Sequence, residues 1–285
     1  GSGDLQRLPF VHAQLAGLKA LTTYVVADGI EAARRACGGH GYLLSSGLPT
    51  LLDNVTALCT LEGTRDVLEQ QAARYFLKKL SPATSDAAEP PPPPPLAPPT
   101  LRDLAALEAA FQLRANHITR ATQALLAASA AGGGAAGAWN GALVEAARVS
   151  RAHCHHALLA SFRATVELAA AGALRDVLHA LCSLYSLSTL LEHAADFIEA
   201  GAIDAAHVAA ARAEQRALLA RLRPDAVALV EAWDFSDHLL ASAIGSSDGR
   251  VYERLMEAAQ AEPLNHTPHA ARVDAVLRPM MRGKL

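Results

Sequence analysis

No stretch of this chain stays apolar long enough to span a bilayer, which removes a transmembrane helix from the readings. Aromatic residues are scarce, at 5%, in a chain that is 51% hydrophobic and rich in alanine. Few rings and many small side chains favour close-packed helices over sheets. Basic charge is not in excess, since 25 Lys and Arg against 28 Asp and Glu leave a formal net charge of -3. The chain therefore carries no electrostatic footprint for nucleic acid. Cysteine is limited to Cys37, Cys59, Cys154 and Cys182, far apart and without a CxxC pair, so buried reduced thiols are expected. No secretory signal opens the sequence, and a soluble intracellular protein is expected. The 285 residues are enough to bury a sizeable core in one large or two modest domains.

What is present is an Ala/Leu helical pattern with one conspicuous break, between Ala36 and Val67. Gly38, Gly39 and Gly41 stand there in four positions, where a backbone without Cβ can stop a helix or come close to a flat or anionic ligand. The spacing alone does not choose between the two. Leu61-Glu62-Gly63-Thr64 follows, a carboxylate between an apolar residue and a glycine just before a new helical pattern. Against an apolar wall such a carboxylate is pushed toward the protonation range of a general base; at a helix start it can equally serve the helix dipole.

Around the break the periodicity predicts helices. From Phe10 to Cys37 the positions Leu15, Leu18, Thr22 and Val25 mark an amphipathic stripe that Gly38 ends, and Glu62 to Leu80 regains the period. Residues 40 to 61 are expected to form an ordered loop with about one helical turn. Ser81 to Thr100 carries six consecutive prolines, Pro90 to Pro95, then Pro98-Pro99. Polyproline II is expected there, as a spacer between two helical domains or, alternatively, as a partner ligand. From Leu101 the pattern is helical to the end, over 101–130, 139–170, 173–200, 204–222, 225–244 and 250–261, with Asp204 and Asp225 as expected N-caps. The fold class expected is all-α, helical bundles, with domains at 1–80 and 101–285 and the linker 81–100 between them.

His153, Cys154, His155 and His156 do not share the three- or four-residue spacing on one helix face that a metal pair needs, so structural histidines and no metal are expected. Glu192 with His193, and Trp233 with Asp234 and Phe235, read as packing or interface residues.

Ala36 to Tyr42, Ser46-Gly47-Leu48-Pro49, Asn54, Thr56, Cys59-Thr60 and Glu62-Gly63 together resemble the C-terminal half of the peroxisomal acyl-CoA oxidases, relatives of the acyl-CoA dehydrogenases. Upstream Leu8-Pro9, His12, Ala16 to Ala20 and Gly29-Ile30-Glu31 extend the resemblance, as does Gln71-x-Ala73-Arg74-Tyr75 downstream. Ala138-Trp139-Asn140, Leu184-Tyr185-Ser186, Asp225 to Val230, Val251-Tyr252-Glu253 and Pro263-Leu264-Asn265 resemble the family's last domain, in the same order. The resemblance implies an FAD enzyme that desaturates fatty acyl-CoA and passes the electrons to O2. Glu62 matches the family's catalytic base, while Gly38, Gly39, Gly41 and Thr64 match positions at the cofactor. A homodimer is implied, because Gly38 and Gly39 match backbone that approaches the FAD of a neighbouring subunit. So is an N-terminal half with no counterpart here, to which Gly3-Asp4-Leu5 would connect.

Thr64-Arg65-Asp66 departs from the oxidases' usual acidic residue, Asn and Thr, and Thr64 is closer to the dehydrogenase branch, which hands electrons to a flavoprotein. A catalytically silent assembly module is a further reading for the isolated chain. The terminal Gly283-Lys284-Leu285 differs from the peroxisomal address Ser-Lys-Leu by one residue. With the resemblance, peroxisomal localisation is expected.

Overall fold

A glycine inside the first helix sets how closely that helix packs. In the computed structural model α1 runs Leu8–Ala36, and a Cβ added at Gly17 would stand 2.6 Å from Cys154 Sγ, 3.0 Å from Ser150 Oγ and 3.3 Å from Ala72 Cβ. Its buried positions are Ala13, Ala16, Gly17 and Ala20. The larger Leu15 and Val25 of the expected stripe are exposed, because small side chains rather than large ones make the close contact.

The structure describes residues 5–80, 91–266, 271 and 273–283. Gly3, Asp4, Ser81–Pro90 of the expected linker, and Lys284 and Leu285 of the terminal tripeptide lie outside the described residues. After α1 come α2 (Gly38–Tyr42), α3 (Leu48–Leu58), α4 (Arg65–Lys79), α5 (Leu104–Gly141), α6 (Leu143–Leu168), α7 (Ala173–Glu192), α8 (Ala194–Glu199), α9 (Val208–Leu222), α10 (Ala226–Glu231), α11 (Asp237–Leu240) and α12 (Val251–Ala261). Among the described residues the only β pairing is an isolated parallel bridge between Leu96 and Ile203, so the chain is all-α as expected.

The chain divides into two compact units, one of residues 1–24 and 59–230, the other of 25–58 and 231–285. Within the first unit one apolar cluster crosses the proline stretch. Ala72, Ala73, Phe76 and Leu77 of α4 share one apolar cluster with Ala115 and Ile118 of α5 and with Ala146, Val149 and Ala152 of α6. The helices on both sides of the proline stretch therefore belong to the same unit. A second cluster, around Leu107, Phe111, Leu159, Leu187, Leu190 and Phe197, joins α5 to α9.

Two buried ionic groups of this unit, Glu69 and Arg114, are paired. Glu69, 1% exposed, takes both arms of Arg151, at 2.6 and 2.9 Å. Arg114, 2% exposed, donates to Asp196 at 2.8 and 3.1 Å, and Asp196 also accepts from Arg148 at 2.7 Å. Burial pushes the Asp196 carboxyl up, but the hydrogen bonds from Arg114 and Arg148 together hold it below the ordinary carboxylate range.

Several local expectations change. Residues 40 to 61 hold the eleven-residue helix α3 rather than a loop with a single turn. Pro49 reads as a breaker, yet it falls in the first turn of α3, where its missing N–H is not needed. Gly47, at φ +74°, makes the turn just before it. The helix α4 starts at Arg65 with Thr64 as N-cap, three residues later than expected. The long helix expected over 225–244 is reduced to α10 and α11, which are separated by Asp234 at φ +55°. Asp204 precedes a short 3-10 turn without a capping bond, and Asp225 closes another; among the described residues Asp103 caps α5, accepting from Ala105 N at 2.9 Å and Ala106 N at 3.2 Å, and Ser236 caps α11. Cys154 and Cys182 are buried free thiols, whereas Cys37 is exposed and Cys59 half-buried.

Candidate functional site

Between α3 and α4 the chain reverses through Cys59 to Thr64. Glu62 lies there at φ +58°, a left-handed conformation that a residue with a Cβ adopts at a cost, and Gly63 follows at φ +110°. A Cβ at Gly63 would meet Leu68 Cδ2 at 2.9 Å, so both the backbone and the packing require glycine. The Lys19 ammonium holds the bend from α1, donating to Leu61 O at 2.7 Å and to Gly63 O at 2.6 Å. These are the carbonyls on either side of Glu62. Charge-assisted bonds to both fix the peptide entering Glu62 and the peptide leaving Gly63, so the bend is held from both ends. Cys59 Sγ lies 3.6 Å from Thr23 O, and the Arg65 guanidinium sits 4.1 Å over the Tyr24 ring, fastening the two ends of the bend to the same helix.

Glu62 itself is exposed, and the apolar wall expected around it is not formed by this chain. Its N–H makes no hydrogen bond to another described residue. Thr64 is exposed too, and as N-cap of α4 its hydroxyl makes no capping bond. Side chain and backbone at Glu62 and the Thr64 hydroxyl are thus left accessible by a strained turn that Lys19 braces.

The glycines belong to the second unit and have three different physical reasons. Gly38, at φ +60°, makes the left-handed step out of α1. Gly41 is buried, and a Cβ there would fall 2.0 Å from Arg34 O, so packing alone requires it to be glycine. Gly39 is helical and exposed, and a Cβ on it would meet nothing within 4 Å. Neither backbone geometry nor packing within the chain asks for glycine at 39, and open space lies in front of both Gly38 and Gly39. In the same unit a cavity of about 350 Å³ is lined by Arg34, Tyr42, Leu44, Asp53 and Asn54 among others.

His153 and His155 on α6 pack inside the bundle. His153 stacks on Phe76, centroids 4.1 Å apart, and its Nε2 lies 3.0 Å from Thr119 Oγ1. Burial, then the nearby His156 and Lys79 charges, lower its pKa to about 4. Arg114 Nη1 donates to His155 Nδ1 at 3.2 Å; burial first and the Arg114 charge second hold His155 at about 3. Both rings are held neutral inside the bundle. His193 packs against His155, centroids 5.2 Å apart, whereas Trp233 and Phe235 are largely exposed.

An all-α chain with an exposed glutamate on a braced turn before a helix is the class that the fold and the geometry define. The family model for the acyl-CoA oxidase C-alpha1 domain matches residues 1–77, and that for acyl-CoA oxidase matches residues 103–282. The chain belongs to the acyl-CoA oxidase family. It is 38% identical to peroxisomal acyl-coenzyme A oxidase 1 of Rattus norvegicus, over 94% of this chain and 43% of that protein. It is 37% identical to peroxisomal acyl-coenzyme A oxidase 2 of Mus musculus, over 98% and 44%. Among solved structures it resembles Arabidopsis thaliana acyl-CoA oxidase 1, with a TM-score of 0.88 and 32% identity over 100% of this chain and 45% of that one. It also resembles Caenorhabditis elegans acyl-CoA oxidase-1 complexed with FAD and ATP, with a TM-score of 0.89 and 30% identity over 99% and 44%. The chain thus spans under half the length of the relatives it matches.

Proposed function

We propose that this chain is the C-terminal part of an FAD-dependent oxidase that converts a fatty acyl-CoA to the trans-2-enoyl-CoA and reduces O2 to H2O2. The observation that carries the reading is the braced bend at Glu62. A carboxylate accessible on a strained, buttressed turn is poised to act on a bound molecule, and family membership supplies the molecule's class.

In this reading the Glu62 carboxylate takes the proton from Cα. Because Cα–H is a weak acid, the thioester carbonyl must be polarised as the proton leaves, and the accessible Glu62 N–H is the donor this chain supplies. FAD, when bound, would supply the acceptor for the hydride from Cβ and the route of that electron pair to O2. The residues present fit such a group at Gly38 and Gly39, where open space faces a backbone without Cβ. Thr64 fits through a hydroxyl not used in capping. Gly41 keeps the glycine turn seated on α1.

The protein is a homodimer in this reading, each subunit lending Gly38 and Gly39 to the other's cofactor. The exposed Tyr42 and Leu44, beside the glycine turn in sequence, support a surface covered by more protein. Its place is the peroxisome, as the names of the relatives suggest.

A dehydrogenase is the competing reading, favoured by Thr64 after Glu62-Gly63. The acyl-CoA oxidase model over residues 103–282 supports the oxidase instead. Adding acyl-CoA to the full-length protein under air distinguishes them, since the oxidase releases peroxide and the dehydrogenase needs a flavoprotein acceptor. Glu62→Gln in that protein keeps shape and removes the base. Substrate should still perturb the flavin spectrum while bleaching slows by about 10² to 10⁴-fold. Bleaching at the parental rate would place the base elsewhere.

A further inference from the structure

Pro91 to Pro95 is ordered against the first unit and is used by nothing in the proposed reaction. It carries the chain from the end of α4, where Leu77 O accepts from Gln123 Nε2 at 2.7 Å, to the start of α5 at Leu104, about 28 Å back along that helix, yet such a span does not dictate five consecutive prolines. Its conformation follows from its chemistry. Each ring fixes φ near about -65°, and each following ring confines the preceding ψ to extended values, so the run is polyproline II with about three residues per turn. Residues three apart then share an edge.

One edge is occupied by the protein's own bundle. Pro93 is half-buried and Leu96 is 1% exposed. Leu96 N donates to Ala202 O at 2.8 Å, Leu96 bridges Ile203, and His207 Nδ1 lies 3.3 Å from Leu96 O. The other two edges, Pro91 with Pro94 and Pro92 with Pro95, are exposed. Proline-binding grooves receive a rigid PxxP ridge between aromatic side chains, and two outward edges are what such a groove needs. Here the ridge is stiff by composition and anchored at Leu96, so little conformational freedom remains to be lost on docking.

Charge narrows the partner. Pro91 to Pro99 contains no charged residue, and the first base beyond it, Arg102, is paired with Glu214. A groove with an acidic specificity pocket finds no cation here. We propose that Pro91–Pro95 is a docking ridge for a small domain with an uncharged aromatic groove, of the WW class.

The test titrates the purified 285-residue chain into an isotope-labelled WW domain and, separately, into an SH3 domain with an acidic pocket. Saturable shifts confined to the aromatic groove are expected for the WW domain, with weaker binding to the SH3 domain. The paired variants Pro91→Ala with Pro94→Ala, and Pro92→Ala with Pro95→Ala, should each weaken binding by about tenfold or more, whereas Pro93→Ala on the inward edge should change it by less than about twofold. Unchanged far-ultraviolet circular dichroism keeps the comparison free of folding effects. No saturable WW binding, preference for the SH3 domain, or an equal loss with Pro93→Ala would overturn the proposal.

Discussion

Removing the Lys19 ammonium while keeping its stem, as in Lys19→Met, should loosen Glu62 without touching it. The magnitude follows from the backbone. Glu62 at φ +58° is held against a preference of about 1 to 2 kcal/mol for right-handed or extended conformations. The two bonds from Lys19, to Leu61 O in the peptide that enters Glu62 and to Gly63 O in the peptide that leaves Gly63, restrain the bend from both ends. With that restraint gone and the strain free to relax, the bent form should fall by a factor of about 5 to 30, since about 1.4 kcal/mol is tenfold in population. In the full-length protein, single-turnover bleaching of the flavin should slow by that factor, well short of the loss expected for Glu62→Gln. The pH dependence of bleaching should keep its shape, because the titrating base is unchanged. Lys19→Arg should restore part of the rate through its own donors. On the 285-residue chain, amide exchange across residues 59–64 should accelerate while the α4 core around Phe76 stays protected. Parental bleaching in Lys19→Met, with unchanged exchange in the bend, would refute the bracing role.

Three further outcomes can be checked on the 285 residues alone. Gly17→Val places methyl groups where a Cβ already stands 2.6 Å from Cys154 Sγ, so overpacking should cost about 1 to 3 kcal/mol and lower the melting temperature by about 2 to 10 °C; an unchanged melting temperature would mean α1 yields without strain. His153 and His155 have folded pKa values of about 4 and 3, below the unfolded value of about 6.5, so the unfolded state binds more protons as pH falls. Their contribution is complete above pH about 6.5 and is lost as pH drops toward 4 and then 3, at up to about 1.4 kcal/mol per pH unit each; denaturant midpoints that stay flat over this window would contradict it. The chain by itself should load FAD poorly, because it spans 43% of its relatives' length and its Glu62 and Thr64 stand exposed; a yellow preparation with one flavin per chain would count against the assignment of its contacts.

The all-α class was legible from composition and period, because alanine-rich 3.6-residue repeats bury a face only as helices. Glu62, Gly38 and Gly39 were legible as a break in that pattern and as a resemblance, and the acyl-CoA oxidase family was recognisable from residue order along nearly the whole chain. Local rules failed where a residue's role depends on something distant. Pro49 looks like a breaker until the first turn of α3 absorbs it, and Leu15 and Val25 look like core until Gly17 brings small residues to the contact. Only the tertiary structure decided why Gly41 and Gly39 differ: a Cβ added at Gly41 would fall 2.0 Å from Arg34 O, whereas one at Gly39 would meet nothing within 4 Å. It alone joined Lys19 to carbonyls 42 and 44 residues away, and Arg114 to Asp196 across 82, because hydrogen bonds and ion pairs at such separations leave no periodic trace in the sequence.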